Sequence, residues 1–582
     1  KARAYLLSQF ARQGRSTRHA IVQALRISGL NQPLAMAVAA EAKTLWEHNL
    51  RMSSEGSIAE RAVAAEELGR SGRAEAVDRL IELTIDGQVS VAAAAARGLG
   101  EAGDGRAVPA LTALLQENSS ELRQAGCEAL GRLRALEAVL QLEHVAKEKS
   151  TASASATAAL LSMPRSTETN RALCDLALEA GPAQAAAAGR AMRSRGGCPM
   201  QPILEKLAHR RPGRVARTAA ERANVSAALT AVEALGPTAR RALSAVLPLM
   251  RDSPPAIRAQ AVAAVAEIGD PSARQAVQGV LDEESQKIDE LRADWISGPL
   301  PNVYSPGFGP VDERGAAADK LLAAKRIDAT PLEIVEKVAP DELQLFLNAL
   351  RALGSVGGAG AQPILAKRSS DPNLLVRSRA LLGLVRLDPQ SRLLSAKALE
   401  DPDPSVRAAL AQALVNYEDG QRIIADRLSI AGADALMYLE ALSRVNLQVR
   451  PVEQLRARVP RGGAEGALAA SLLGTLQDRE GAGVLLVQLE AASNEGRKEM
   501  LLALSHLGDA SAAEVVARDL YHDSSDIRAA AAATLSEVGG PQQLESLFAL
   551  QGDYYRKVRE AADRAVAKLG PLIRSDKAHG TQ

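Results

Sequence analysis

The chain has 582 residues, of which 47% are apolar and only 2% aromatic, and its 70 basic and 69 acidic side chains leave a net charge of +1. That balance argues against a general affinity for nucleic acid or anionic lipid, which usually goes with a basic excess, and with no run of 18 apolar residues nothing reads as a membrane span. An interior of Ala, Leu and Val with few rings favours an all-helical fold.

In chain order, the first 50 residues are Ala-rich and helical in pattern, with an arginine cluster at Arg12, Arg15, Arg18 and Arg26. From about 60 to 130 a repeat sets in. Arg61, Ala92 and Arg123 stand 31 residues apart, and each is followed seven positions later by Leu68, Leu99 and Leu130 and then by Gly69, Gly100 and Gly131. The register returns at Ala228 and Arg258, at Arg377 and Arg407, and at Arg497, Arg528 and Arg559, with spacings of 30 or 31. A fixed period of this size is the mark of stacked supersecondary units, none of which buries its apolar face alone. Each period holds two apolar stripes of helical spacing, so the unit reads as a helical hairpin.

The turns carry capping chemistry. Asp371-Pro372-Asn373, Asp401-Pro402-Asp403-Pro404-Ser405 and Asp523-Ser524-Ser525-Asp526 precede helices that open on an apolar-Arg pair, and their side-chain oxygens can accept the free amides of the first turn. Gly69, Gly100, Gly131, Gly269 and Gly354 are expected to stop helices in the left-handed conformation. Arg258, Arg377, Arg407, Arg528 and Arg559, with Asp371, Asp401 and Asp523, are read as structural markers: each arginine is expected to pair with an Asp of its own or the next turn and hold neighbouring repeats in register.

With these residues in view, the chain resembles the HEAT-repeat proteins, in particular the short HEAT-like repeats of the phycobilisome-lyase group. Residues 371–383, 401–414 and 523–535 match best, and the likeness fades over 1–50, 135–220 and 430–490. The resemblance implies an α-α superhelix of about 15 to 17 hairpins, drawn out into a curved rod, with the Val-Arg helices lining its concave side. The expected division is an array over 1–280, an aperiodic insertion over 281–340 and a second array over 341–582.

Two stretches break the pattern. Residues 209–217 gather Arg210, Arg214 and Arg217 around Pro212, which suits a solvated turn or an acidic partner. Residues 295–310 combine four prolines and three glycines with Trp295, Tyr304 and Phe308. Their composition speaks against a helix, so the segment is expected to be a loop that either covers the array or binds a partner. The groove positions are expected to be bland, with Ala259, Gln260 and Ala263, Ala408, Ala409 and Gln412, and Ala529, Ala530 and Ala533, a lining unsuited to phosphates.

Cys127 reads as a small core residue, and Cys174 and Cys198 as two buried thiols that would pair only in an oxidising compartment. The chain opens on Lys1 instead of Met, read as the loss of upstream sequence, which tilts the expected location slightly outside the cytoplasm. No catalytic motif, metal-ligand spacing or cofactor signature appears. The expected function is therefore a non-catalytic scaffold that holds other proteins, in a chain whose Arg and Ala richness suits a bacterial source. Two rival readings are a lyase or chaperone-like factor for a tetrapyrrole-bearing protein, which the resemblance implies, and a HEAT-like nucleic-acid binder, which the arginine clusters suggest.

Overall fold

The computed structural model describes residues 21, 32–208, 218–252, 254–297, 340–358, 360–371 and 373–579. Among the described residues every regular element is a helix, and the helices stack as successive hairpins in an all-α solenoid. Val108–Leu114 and Ser120–Leu133 form one such hairpin, and Ala361–Arg368 with Leu374–Leu387 another. In each the second helix, called the B helix below, carries the repeat motif. The motif's hydrophobic position is the core: Leu68, Leu99, Leu130, Leu235, Val265, Leu384, Leu414, Leu504 and Leu535 are all at most 1% exposed. The 31-residue period is thus the distance between equivalent buried leucines of adjacent hairpins.

Local chemistry starts the B helices as the sequence implies. Ser57 and Glu60 close a reciprocal capping box at the head of Ile58–Ser71, and Asn373 Oδ1 accepts the amide of Leu375 at 2.9 Å at the head of Leu374–Leu387. These contacts satisfy amides that a helix cannot satisfy itself.

The motif glycines act differently from expectation. Gly269 is a left-handed cap with φ +67°, but Gly69, Gly100, Gly131 and Gly354 lie inside their helices. Three of them mark places where neighbouring B helices touch. A Cβ on Gly69 would stand 2.3 Å from the Cα of Gly98, one on Gly354 2.4 Å from the Cα of Gly383, and one on Gly100 2.8 Å from the Cα of Ala129. The motif's last residue is small because backbone packs against backbone there.

Where it is present, the recurring arginine can link one hairpin to the next. Arg377 donates to both carboxylate oxygens of Asp401, at 2.6 and 3.1 Å, and from its remaining nitrogen to the carbonyl of Asp371 at 2.9 Å. Arg528 repeats the arrangement on Asp553, at 2.9 and 3.2 Å, and on the carbonyls of His522 and Asp523. Arg61 reaches Asp86 and Arg497 reaches Asp519, each at 3.2 Å, and Arg258 reaches Glu284, also at 3.2 Å. The acceptor aspartate is already engaged in its own turn: Asp401 Oδ1 takes the amide of Asp403, and Asp553 Oδ1 that of Tyr555. One guanidinium therefore fastens two turns of consecutive repeats. Arg407 donates to the carbonyls of Asp401 and Pro402 in its own turn.

The chain divides into two compact units, Lys1–Leu133 with Val415–Gln582, and Arg134–Leu414. The helices of the expected arrays 1–280 and 341–582 are thus each shared between both units. In the first unit the opening and closing repeats pack on one another. Helix Gln32–Glu55 lies against Leu544–Leu550. Tyr554 Oη accepts from Asn49 and donates to the carbonyl of Glu67, Tyr555 Oη donates to the Glu67 carboxylate, and Arg559 donates to the carbonyl of Ser71 at 2.8 Å. Arg559 thereby caps the C-terminal end of a helix nearly 500 positions away in the sequence.

In the second unit, helix Pro255–Ile268 packs directly against Pro340–Val356, so the stack continues across the insertion. Cys174 and Cys198 form a disulfide with Cα atoms 5.6 Å apart, where separate thiols were expected. Gly196 and Gly197, with φ +105° and +85°, turn the chain after Pro182–Arg195 back toward helix Thr167–Glu179. Cys127 is a buried core residue.

Two predictions follow from the packing. Alanine ordinarily stabilises a helix over glycine by up to about 1 kcal/mol, yet Gly354→Ala is expected to lower the melting temperature, whereas Gly483→Ala, which faces open space, is neutral or raises it. A rise for Gly354→Ala would contradict the backbone contact. Arg377→Ala leaves the 5%-exposed Asp401 without its partner and is expected to cost about 3 kcal/mol of unfolding free energy, read by urea titration. A cost within error of zero would show that the link carries no stability.

Candidate functional site

Three B helices of the second unit, Pro255–Ile268, Pro340–Val356 and Leu374–Leu387, follow Ala219–Leu235 in the stack and present one common face. On it lies a cavity of about 310 Å³ lined by Glu233, Ala256, Ala259, Gln260, Ala263, Gln344, Asn348, Arg351 and Arg379. Gln260, Asn348 and Arg379 hold the same place in successive repeats, two residues after Arg258, Phe346 and Arg377. Glu233 and Arg351 lie five residues after Ala228 and Phe346. Positions two and five of a helix share a face, so successive polar rows line the cavity while the motif leucines point into the stack.

The walls are fixed by hydrogen bonds. Asn348 Nδ2 donates to the carbonyl of Ala259 at 2.9 Å, and its Oδ1 accepts from Gln344 at 3.0 Å. Arg351 donates to Glu267 at 2.5 Å and to Glu233 at 3.3 Å. Glu267 also receives Arg193 at 3.1 Å and Arg386 at 3.4 Å. Burial works to raise the Glu267 carboxyl, but Arg351, Arg386 and Arg193 outweigh it and hold the group below its ordinary range. Burial, reinforced by the like charges of Arg351 and Arg386, pushes Arg379 below the usual guanidinium range, and Glu233 only partly offsets this. The arrangement is a half-buried cationic pocket with amide groups on one wall. Among the described residues no cluster of His, Cys, Asp or Glu is arranged to hold a metal ion.

The residues singled out in the sequence fall elsewhere. Tyr304, Phe308, Arg210, Arg214 and Arg217 lie outside the described residues. Trp295 sits in the backbone of helix Arg274–Ser297, contrary to the expected loop, because the first helix-breaking residues are Gly298 and Pro299. Ala259, Gln260 and Ala263 line the cavity as groove positions, but the lining is not bland, because Arg351 and Arg379 complete it. A signal existed in the row two residues after the motif arginine, which reads Gln260, Asn348 and Arg379 here against Ala409 and Ala530 elsewhere. It was hidden because the motif arginine of the middle repeat is replaced by Phe346, fully buried with Arg368 over its ring at 5.4 Å.

The fold and this surface define a helical repeat protein whose B-helix faces are available for contact. The family model described as HEAT repeats matches residues 50–131, 83–162 and 468–567. No curated protein matches the sequence. Solved structures to which the chain is similar include the complex of CpcE and CpcF of phycocyanin lyase from Nostoc sp. PCC7120, at 21% identity over 38% of this chain and 87% of that one, with a TM-score of 0.23. Importin beta aligns at 13% identity over 91% and 77%, with a TM-score of 0.32, and Kap95p, solved with RanGDP, at 12% over 98% and 79%, with a TM-score of 0.31. No described helix is long and apolar enough to cross a membrane.

The Glu267 network gives a pH test. Because the folded carboxyl titrates below its reference value of 4.5, the unfolded chain takes up the proton first. The stability from Glu267 is therefore present above about pH 4.5 and lost as the pH falls through the folded value. Melting curves across this range are expected to show a steeper acid loss for the wild type than for Glu267→Gln, which is also less stable at neutral pH. Equal slopes would remove Glu267 from the account.

Proposed function

We propose that the protein is a non-catalytic scaffold whose B-helix faces hold a partner protein. The observation that carries this reading is the face formed by Pro255–Ile268, Pro340–Val356 and Leu374–Leu387. Its polar side chains line a cavity, while the stacking is provided by the buried leucines on the other side of the same helices. Surface that is set apart from the core and repeated along a stack suits contact with a macromolecule. The Cys174–Cys198 bridge supports placing the protein in an oxidising compartment outside the cytoplasm, where such bonds persist.

The test is photo-crosslinking in the native host with benzoylphenylalanine at exposed Gln344 on the B-helix face, or at exposed Lys367 on the first helix of the following hairpin. Protein adducts from position 344 and none from position 367 are expected. Adducts from neither position, nuclease-sensitive adducts from 344, or a purified protein with visible tetrapyrrole absorbance would contradict the proposal.

A further inference from the structure

The pocket of the second unit has groups that the fold leaves unused. Arg379 makes no hydrogen bond among the described residues, although it is half-buried on a B helix. The Nε of Arg351 and the Oε1 of Gln260 are buried without a hydrogen-bond partner. Buried donors and acceptors are nearly always paired, so two such atoms beside an unpaired guanidinium on one cavity mark a place built for a ligand. The charge is also uneven. Arg193, Arg351, Arg379 and Arg386 face Glu233 and Glu267, which is four cations against two anions and leaves two positive charges uncompensated.

We propose that this pocket takes an acidic side chain of the partner protein, with its carboxylate on the Arg379 fork. The inference rests on the scaffold reading above. A carboxylate matches the two parallel N–H donors of a guanidinium, and the backbone of an acidic peptide also brings N–H donors for the amide oxygen of Gln260, which a bare anion does not. Glu233 on the rim and Glu267 behind Arg351 place two fixed negative charges beside the site, which repel a doubly charged phosphate about twice as strongly as a single carboxylate; the carboxylate reduces the excess of two positive charges to one. Asn348, held from both sides by Gln344 and by the carbonyl of Ala259, keeps the wall in place.

The test is fluorescence anisotropy with a blocked, dye-labelled decaglutamate peptide at physiological salt, on the full chain and on two variants. Arg379→Gln removes the fork and, having no structural partner, should leave the melting temperature unchanged or raise it. Exposed Arg564→Gln removes the same charge from the other unit. The expected result is a Kd raised roughly tenfold or more by Arg379→Gln and unchanged by Arg564→Gln, with inorganic phosphate at millimolar concentration failing to displace the peptide. Equal weakening by both variants would show diffuse charge attraction and overturn the site. Displacement by phosphate that depends on Arg379 would overturn the side-chain assignment in favour of a free anion. If wild type and Arg379→Gln bind the peptide alike while adducts from Gln344 still form, the pocket fails and the scaffold stands. If no adducts form, the scaffold reading fails on its own evidence.

Discussion

The link between a B-helix arginine and the aspartate of the following turn is the constraint that fixes the register of the repeats that carry it. Hydrophobic burial attracts hairpins to one another but is non-directional, and a column of Ala and Leu offers many nearly equivalent registers. The Arg377–Asp401 and Arg528–Asp553 pairs remove that freedom. The guanidinium is planar, its donors sit in a fixed fork, and its third nitrogen is committed to carbonyls of its own turn, so only one offset between repeats satisfies all of them. These pairs are nearly buried, which makes a broken link costly. The exposed ion pairs that also recur at a spacing of 31, such as Arg132 with Glu101 and Lys557 with Asp526, sit in water and contribute little.

The second constraint is the closeness of the B helices. Where Gly69 meets Gly98 and Gly354 meets Gly383, backbones approach until no side chain fits between them. The closeness also explains the scarcity of aromatic residues: such a stack is filled by Ala and Leu, and the largest fully buried side chain among the described residues, Phe346, occurs in a repeat that has given up its motif arginine.

The all-helical hairpin stack was legible because its determinants recur: the 31-residue spacing, the Asp and Ser turn residues and the apolar-Arg start each repeat often enough to average out exceptions. What was not legible depends on long-range geometry. Nothing local tells that Arg559 reaches the carbonyl of Ser71 or that Tyr555 reaches Glu67, because periodicity fixes the step between neighbours and is silent on where the ends of an array meet. Gly69 and Gly354 look like helix stops in the sequence because a glycine after a leucine fits a cap and a close contact equally well in one dimension. The candidate site was harder still. It is made by departures from the repeat, at Gln260, Asn348, Arg351 and Arg379, and a search for what recurs discards departures. Cys174 and Cys198 illustrate the same point, since their pairing depends on a glycine turn that no cysteine count reveals.

Function, on this account, is placed where the repeat stops being needed for itself. The motif positions hold the stack, and the polar rows between them are the surface proposed for a partner. The most direct test is amide hydrogen exchange of the full chain with and without the partner recovered through Gln344. The account predicts slowed exchange concentrated in Pro255–Ile268, Pro340–Val356 and Leu374–Leu387, with the first helices of the hairpins unaffected. Protection confined to those first helices, or none in the second unit, would contradict it.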